Sequence, residues 1–403
     1  MVERLGLERE LIGVEPDARR ALIWHAGRAV PVPAGFRLMA PGRTIGILTS
    51  PLLSLGGRLR VLRERFVPAR GESESDESLE HFAVRRLGRE AFDRLVQPLA
   101  AGIWTADPQR LSMAAACPEF FAMERDAGSL TAGERARLTQ QPASAAASGA
   151  RYGQFATLAS GMEQLPRVWA QELARCGVRF VKGTVRSLCR DEQGAWQLEG
   201  AGLDDEASRA NAVVVATPAS VASGILRATD STLANDLSSI DYAGSCVVSL
   251  GFPRDRVAHR LDAAGMVVPR IASRRILAVS FSSSKFRGRA PDGGVLLRVF
   301  LGGALDPEVM ELSDAAMVEC AVSEVEQLLG TRGEPRITHV ERWSHAMPQY
   351  HVGHVERVAW IEAAVSRHAG LGLAGAAYTG VGIPQVIASG QGAALKAVRA
   401  VTP

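Results

Sequence analysis

Lysine is nearly missing from this chain: among 46 basic residues only Lys182, Lys285 and Lys396 are lysines. The arginine excess reads as coding bias, and against 43 acids it leaves a formal net charge of +3, too small to argue for a nucleic-acid partner. Cysteine is scarce as well. Cys117, Cys176, Cys189, Cys246 and Cys320 are odd in number, widely spaced and form no C-x-x-C pair, which suits a reduced, cytoplasmic protein rather than a disulfide scaffold. No apolar run reaches the ~18 residues needed to cross a bilayer, so any membrane contact would be peripheral. The opening MVERLGLERE is charged and amphipathic, unlike a secretion signal. No nucleophile triad or H-E-x-x-H phrase is visible. His345, His351 and His354 cluster around a Pro-Gln-Tyr loop without helical spacing or a nearby cysteine, which argues against a metal site. Aromatic residues make up 5% of the chain.

What is present fits a globular α/β protein, and 403 residues suffice for two or more domains. Residues 1–12 read as the end of a helix. Residues 20–36 read as a hairpin about Ala26-Gly27. Residues 44–66 have helical spacing, with Arg58, Arg60, Arg63 and Arg65 placed to face anionic head groups or solvent, and 77–104 form a pair of amphipathic helices. The polar stretch 127–150 is a candidate mobile loop. From Tyr152 onward a turn, a helix (163–175) and strands at 178–188 and 211–220 suggest a nucleotide-binding layer. Strands at 245–252, 266–269, 276–282 and 295–303 predict a mostly antiparallel substrate sheet, followed by a helix (313–329) and a strand (336–343).

The last forty residues are the most informative. A strand-like run, LGLAGAAYTG, leads into VGIPQVIASGQGAALKAVRA, a helix with Pro384 in its first turn. Gly380 and Gly382 let the backbone approach a bound group where the helix presents its unpaired N–H groups, a position that favours an electron-rich or anionic ligand. Gly370, Gly372 and Gly375 spell G-x-G-x-x-G, but they lie inside the strand-like run and no acid follows Glu362. The dinucleotide fingerprint requires a strand before it and an acid after it, so this match reads as accidental.

Four phrases in order carry a family resemblance over nearly the whole chain: ESLEHFAVRRLGREAFDRLVQPLAAGIWTADPQRLSM, GQFATLASGMEQLP, WSHAMPQYHVGH and AGAAYTGVGIPQVIASG. Together they resemble the protoporphyrinogen/coproporphyrinogen oxidase family of FAD-dependent enzymes of heme biosynthesis. The resemblance implies a Rossmann-like FAD layer of the amine-oxidase type, an antiparallel substrate sheet and a helical lobe. The implied segments are 1–28 (FAD fragment), 29–150 (helical, membrane-contact lobe), 151–231 (FAD), 232–366 (substrate) and 367–403 (C-terminal FAD segment). Met1 falls where the family is already in the phrase that here reads ERLGLEREL, so the first βαβ unit, ~60–70 residues, is expected to be missing from the layer.

The resemblance assigns Val185 to backbone contact with adenine. It places Ala376, Val381, Gly382 and Ile383 beside the isoalloxazine ring, and it makes Arg37 the partner of a substrate propionate, a bidentate grip that suits a guanidinium. Val185 reads equally as a core strand residue, and Arg37 as a solvated charge. The implied reaction oxidises a porphyrinogen (protoporphyrinogen IX, placed first, or coproporphyrinogen III) with dioxygen or another acceptor. Peripheral contact with the inner face of the cell membrane and a homodimer are left open. Two other readings stay in play: a flavin amine oxidase or desaturase relative, and a truncated copy without FAD. Against the amine oxidases, Ala376 and Ala377 follow Gly375 where a glutamate is usual.

Overall fold

The computed structural model describes residues 1–71, 76–140 and 155–401. The chain forms two compact units. The larger contains Met1–Met113, Cys117–Glu172 and Ala243–His345, and the smaller contains Ala114–Ala116, Leu173–Tyr242 and Ala346–Pro403.

The larger unit is organised by a seven-stranded sheet in the order Ile337–Pro348, Tyr242–Pro253, Gly294–Gly302, Ile276–Phe281, Gly265–Val267, Ala21–His25, Arg28–Pro31. The pairings of Gly294–Gly302 and Ile276–Phe281 with their neighbours are antiparallel, whereas Gly265–Val267 runs parallel to Ala21–His25. Two-residue alternation decides what each face does. Along Gly294–Gly302, Val295, Leu297, Val299 and Leu301 enter the core, while Leu296, Arg298 and Phe300 face a cavity. The core face is covered by the helix Asp314–Leu329, which buries Met317, Ala321, Val325 and Leu328. Ser313 caps its first turn by accepting from the Ala316 N–H, and Gly330 ends it in the left-handed region at φ 63°.

The hairpin about Ala26-Gly27 forms with both turn residues at positive φ, 48° and 77°, as a two-residue turn between twisted strands requires. It joins the seven-stranded sheet through Ala21–His25, so residues 21–28 of the expected 1–28 segment belong to that sheet. Residues 1–12 are not a helix end: two short 3-10 turns precede the strand Leu11–Gly13, which pairs with Ala156–Leu158. Helices Thr44–Leu48, Leu55–Leu62, Leu79–Leu87 and Gln97–Trp104 build the helical part of this unit. The expected loop at 127–150 is corrected over part of its length, because Leu130–Gln140 is helical and buries Leu130 and Glu134. Residues 141–150 lie outside the described residues.

In the smaller unit Val213–Val215 runs parallel to Leu371–Leu373, and a three-stranded antiparallel sheet places Thr184–Arg190 at its edge. The expected strand over 178–188 therefore starts only at Thr184. Trp196, Leu237, Val358, Ile361 and Leu371 share one core. The helix His354–Ser366 belongs to that core through Val358, Ile361 and Ala364, which moves 346–366 out of the expected substrate segment 232–366. Gly370 and Gly372 have a packing explanation, and Gly375 a conformational one, its φ of 133°. A Cβ on Gly372 would sit 3.0 Å from the Ala393 carbonyl oxygen, where the strand meets the helix Ile383–Arg399.

Candidate functional site: a cationic cavity and a glycine turn

The exposed face of the larger unit's sheet lines a cavity of about 550 Å³, within the ~300–1,000 Å³ usual for small-molecule sites. Its walls are largely apolar and include Phe36, Leu99, Ile103, Met266, Leu296 and Phe300. Four basic side chains line it, namely Arg37, Lys285, Arg289 and Arg298, and among the described lining residues there is no aspartate or glutamate.

These four cations differ in what already holds them. Arg298 stands mid-strand and is solvent-accessible, yet the surrounding walls desolvate it and lower its pKa. No described carboxylate forms an ion pair with it. Lys285 ends the short helix Ser282–Lys285, with its ammonium 4.8 Å from the centre of the Phe155 ring. Burial, and after it the Arg298 charge, lowers the Lys285 pKa. Arg289 is tied to backbone: it donates to the Leu158 carbonyl at 2.6 Å, the Ala159 carbonyl at 3.0 Å and the Thr157 hydroxyl at 3.1 Å. Those partners orient the guanidinium without neutralising it.

Arg37, the residue singled out from the sequence, does line the cavity, but its charge is occupied. Its Nε donates to Glu134 Oε2 at 2.9 Å, Glu119 lies 3.5 Å away, and the guanidinium covers the Phe120 ring at 4.4 Å. Lys285, Arg289 and Arg298 escaped the sequence reading. The available signal was an arginine inside the apolar alternation VLLRVFL and one of only three lysines in the chain.

The remaining sequence candidates lie in the smaller unit. Val185 is half-buried on the edge strand Thr184–Arg190, beside a register shift between Val185 and Ser187. Edge position leaves backbone donors and acceptors on the outer side for a ligand. Ala376, Val381, Gly382 and Ile383 fall in the turn ahead of the helix Ile383–Arg399, with Gly382 as its N-cap and Pro384 in the first turn. Gly375 and Gly380 have φ of 133° and 146°, values that side chains strongly disfavour. Ile383 is 51% exposed, and the Tyr378 hydroxyl is buried without a hydrogen-bond partner. Val185 and the turn occur in one unit, whereas Arg37 belongs to the other. Among the described residues no group of three or more His, Cys, Asp or Glu side chains is placed to hold a metal ion.

The model of one family, described as flavin containing amine oxidoreductase, matches residues 1–397. The chain belongs to that family. Within this flavin-containing group it is 30% identical to the coproporphyrinogen III oxidase of Bacillus subtilis (strain 168), covering 98% of this chain and 82% of that protein. It is 27% identical to the chloroplastic protoporphyrinogen oxidase of Nicotiana tabacum, with 95% and 71% covered. A crystal structure from Exiguobacterium sp. 255-15, assigned provisionally as a protoporphyrinogen oxidase, superposes with a TM-score of 0.80 at 26% identity, covering 97% of this chain and 82% of that one.

The residues present fit a flavin. The glycine turn exposes backbone at a helix start, and the buried Tyr378 hydroxyl lacks a protein partner. Gly370 flanks and Gly372 lies within the strand Leu371–Leu373, so the G-x-G-x-x-G phrase is not a turn between a strand and a helix.

Proposed function

We propose that this chain is an FAD-dependent oxidase of a porphyrinogen, and that its cavity receives the macrocycle. The observation that carries the proposal is the lining of the cavity: four basic residues, no acid among the described residues, and apolar walls. An amine oxidase needs a site that tolerates an ammonium group, which this set of charges repels. A tetrapyrrole with propionate arms matches both the walls and the charges. Four basic residues favour coproporphyrinogen III, with its four carboxylates, over protoporphyrinogen IX with two, reversing the order suggested by the sequence.

The bound FAD supplies the two-electron acceptor for each of three oxidation steps. The chain's own residues have the work of holding and orienting. Arg298 and Lys285 face the cavity and take carboxylates by charge-assisted hydrogen bonds. Arg289, fixed by its three backbone and hydroxyl contacts, adds charge at low ordering cost. Arg37 contributes less, because Glu134 already holds it. Apolar walls exclude water around the ring system. In the smaller unit Val185 would meet the adenine through its backbone, and Ala376, Val381, Gly382 and Ile383 would meet the ring of the flavin. The test is anaerobic binding of coproporphyrinogen III to wild type and Arg298→Ala. The variant should bind the four-carboxylate ligand roughly 10- to 150-fold more weakly, the loss of a charge-assisted hydrogen bond of about 1.5–3 kcal/mol. Equal affinity would remove the cavity from the reading.

Contact with a membrane surface is supported by a separate patch. Ile45 and Leu55 are each 75% exposed, Leu59 and Phe66 are exposed beside them in sequence, and no described helix is long and apolar enough to cross a membrane. Of the four arginines noted there, Arg58 and Arg60 are engaged with backbone carbonyls, which leaves Arg63 and Arg65 to meet anionic lipid. Flotation with vesicles of anionic lipid should recover wild type, and Leu55→Glu with Phe66→Glu should lose it.

A further inference from the structure

The phrase running from Pro348 to His354 helps to carry the family likeness, yet no cofactor or substrate contact has been attached to it. It leads into the helix His354–Ser366. Two of its rings, Tyr350 and His354, are each 1% exposed. They stack, with ring centres 4.1 Å apart and planes 13° from parallel.

Both rings point their polar atoms at the backbone of the glycine turn. The Tyr350 hydroxyl donates to the Ala376 carbonyl at 2.5 Å, and the Gly380 N–H hydrogen-bonds to the same tyrosine. His354 Nε2 meets the Tyr378 carbonyl at 3.2 Å, with the Ala377 carbonyl also in reach. A carbonyl opposite Nε2 requires the proton there, so Nδ1 is the bare nitrogen of a neutral ring, and it is buried without a partner. Burial holds the His354 pKa down at about 4, consistent with that neutral form.

Ala377 and Tyr378 seat the turn in the core, but Gly375, Ala376 and Gly380 bring small side chains or none, and the two glycines sit at φ values open to glycine alone. Glycine positions lose more conformational freedom on ordering than others, so backbone bonds from outside the turn add to what the buried Ala377 and Tyr378 side chains fix. We infer that Tyr350 and His354 are positioning residues that, as one stacked pair, clamp the 376–380 backbone and thereby set the surface offered to the flavin. The inference rests on the reading that this turn meets the flavin ring. Neither residue is assigned a contact with substrate.

Tyr350→Phe keeps the ring and the stack and deletes only the turn hydrogen bonds. In flavin-free protein, amide exchange of a peptide covering 374–385 should rise several-fold. In flavin-loaded protein, flavin dissociation should rise roughly 10-fold and the absorption spectrum should move toward that of free flavin, while KM for the porphyrinogen holds. His354→Gln supplies an amide N–H near Nε2 and should retain much of the wild-type exchange, whereas His354→Leu should not. Wild-type exchange and spectrum in Tyr350→Phe would overturn the clamp. Gly382→Val separates the two claims. If that variant loses flavin while Tyr350→Phe behaves as wild type, the clamp fails and the flavin reading stands. If it keeps its flavin while Tyr350→Phe exchanges faster, the clamp holds the turn but its role toward flavin is overturned.

Discussion

In the cavity of the larger unit the lining side chains include four charged groups and no described acid; around the glycine turn of the smaller unit Tyr350 and His354 are neutral, buried and directed at backbone. Arg298 and Lys285 pay a desolvation cost, seen in lowered pKa values, which an incoming carboxylate would offset. Tyr350 and His354 need no incoming charge, because their partners are carbonyl and amide groups of their own chain. The proposed function accordingly assigns recognition of an anionic substrate to one region and support of a neutral ring to the other. It also explains why the two regions should respond differently to substitution.

The largest effect is expected at the turn. Gly382→Val places a branched side chain at the N-cap of the helix Ile383–Arg399, where backbone is proposed to approach the flavin. Loss of yellow colour is predicted, measured as bound flavin per chain, and stoichiometric flavin would move the ring elsewhere. The cavity should behave in the opposite way: Arg298→Ala raises KM for coproporphyrinogen roughly 10- to 150-fold with flavin content unchanged. Parallel loss of flavin and substrate binding in that variant would break the separation of the two regions.

Acid sharpens the same comparison. His354 has a pKa lowered from 6.5 to about 4, first by burial. The unfolded chain therefore takes up a proton that the folded chain refuses as pH falls below 6.5. This contribution to stability is complete above that value and declines toward pH 4, by up to about 1.4 kcal/mol per unit. Urea melts of wild type and His354→Gln at pH 7.5 and 5 should show the steeper loss in wild type; equal losses would mean that His354 is not held neutral. The smallest effect belongs to Arg37. Since Glu134 already pairs with it, Arg37→Ala should raise KM by less than the Arg298 change, roughly tenfold or below. A larger effect than at Arg298 would restore Arg37 as the principal grip.

How far the sequence could be read follows from how local each feature is. The strands at 276–282 and 295–303 were legible because alternation and β-branching are properties of the segment itself. The helix start at Pro384 was legible for the same reason. Residues 1–12 misled because the strand Leu11–Gly13 exists only through pairing with Ala156–Leu158, far along the chain. Leu130–Gln140 looked like a loop by composition, yet it is a helix whose Glu134 is buried between Arg37 and Arg137, a pairing no local pattern announces. The cavity cations were hidden in the same way. Lys285, Arg289 and Arg298 converge only once the sheet has formed, while Arg37 stood out through its phrase and proved to be committed to Glu134.

The most direct test of the account is porphyrin fluorescence from the flavin-loaded protein in air, with coproporphyrinogen III, protoporphyrinogen IX and a primary amine such as putrescine supplied separately. The cationic, acid-free cavity predicts porphyrin formation from coproporphyrinogen III at the highest kcat/KM, a lower value for protoporphyrinogen IX, and no turnover of the amine. Hydrogen peroxide released from the amine, with neither porphyrinogen oxidised above the uncatalysed rate, would contradict it.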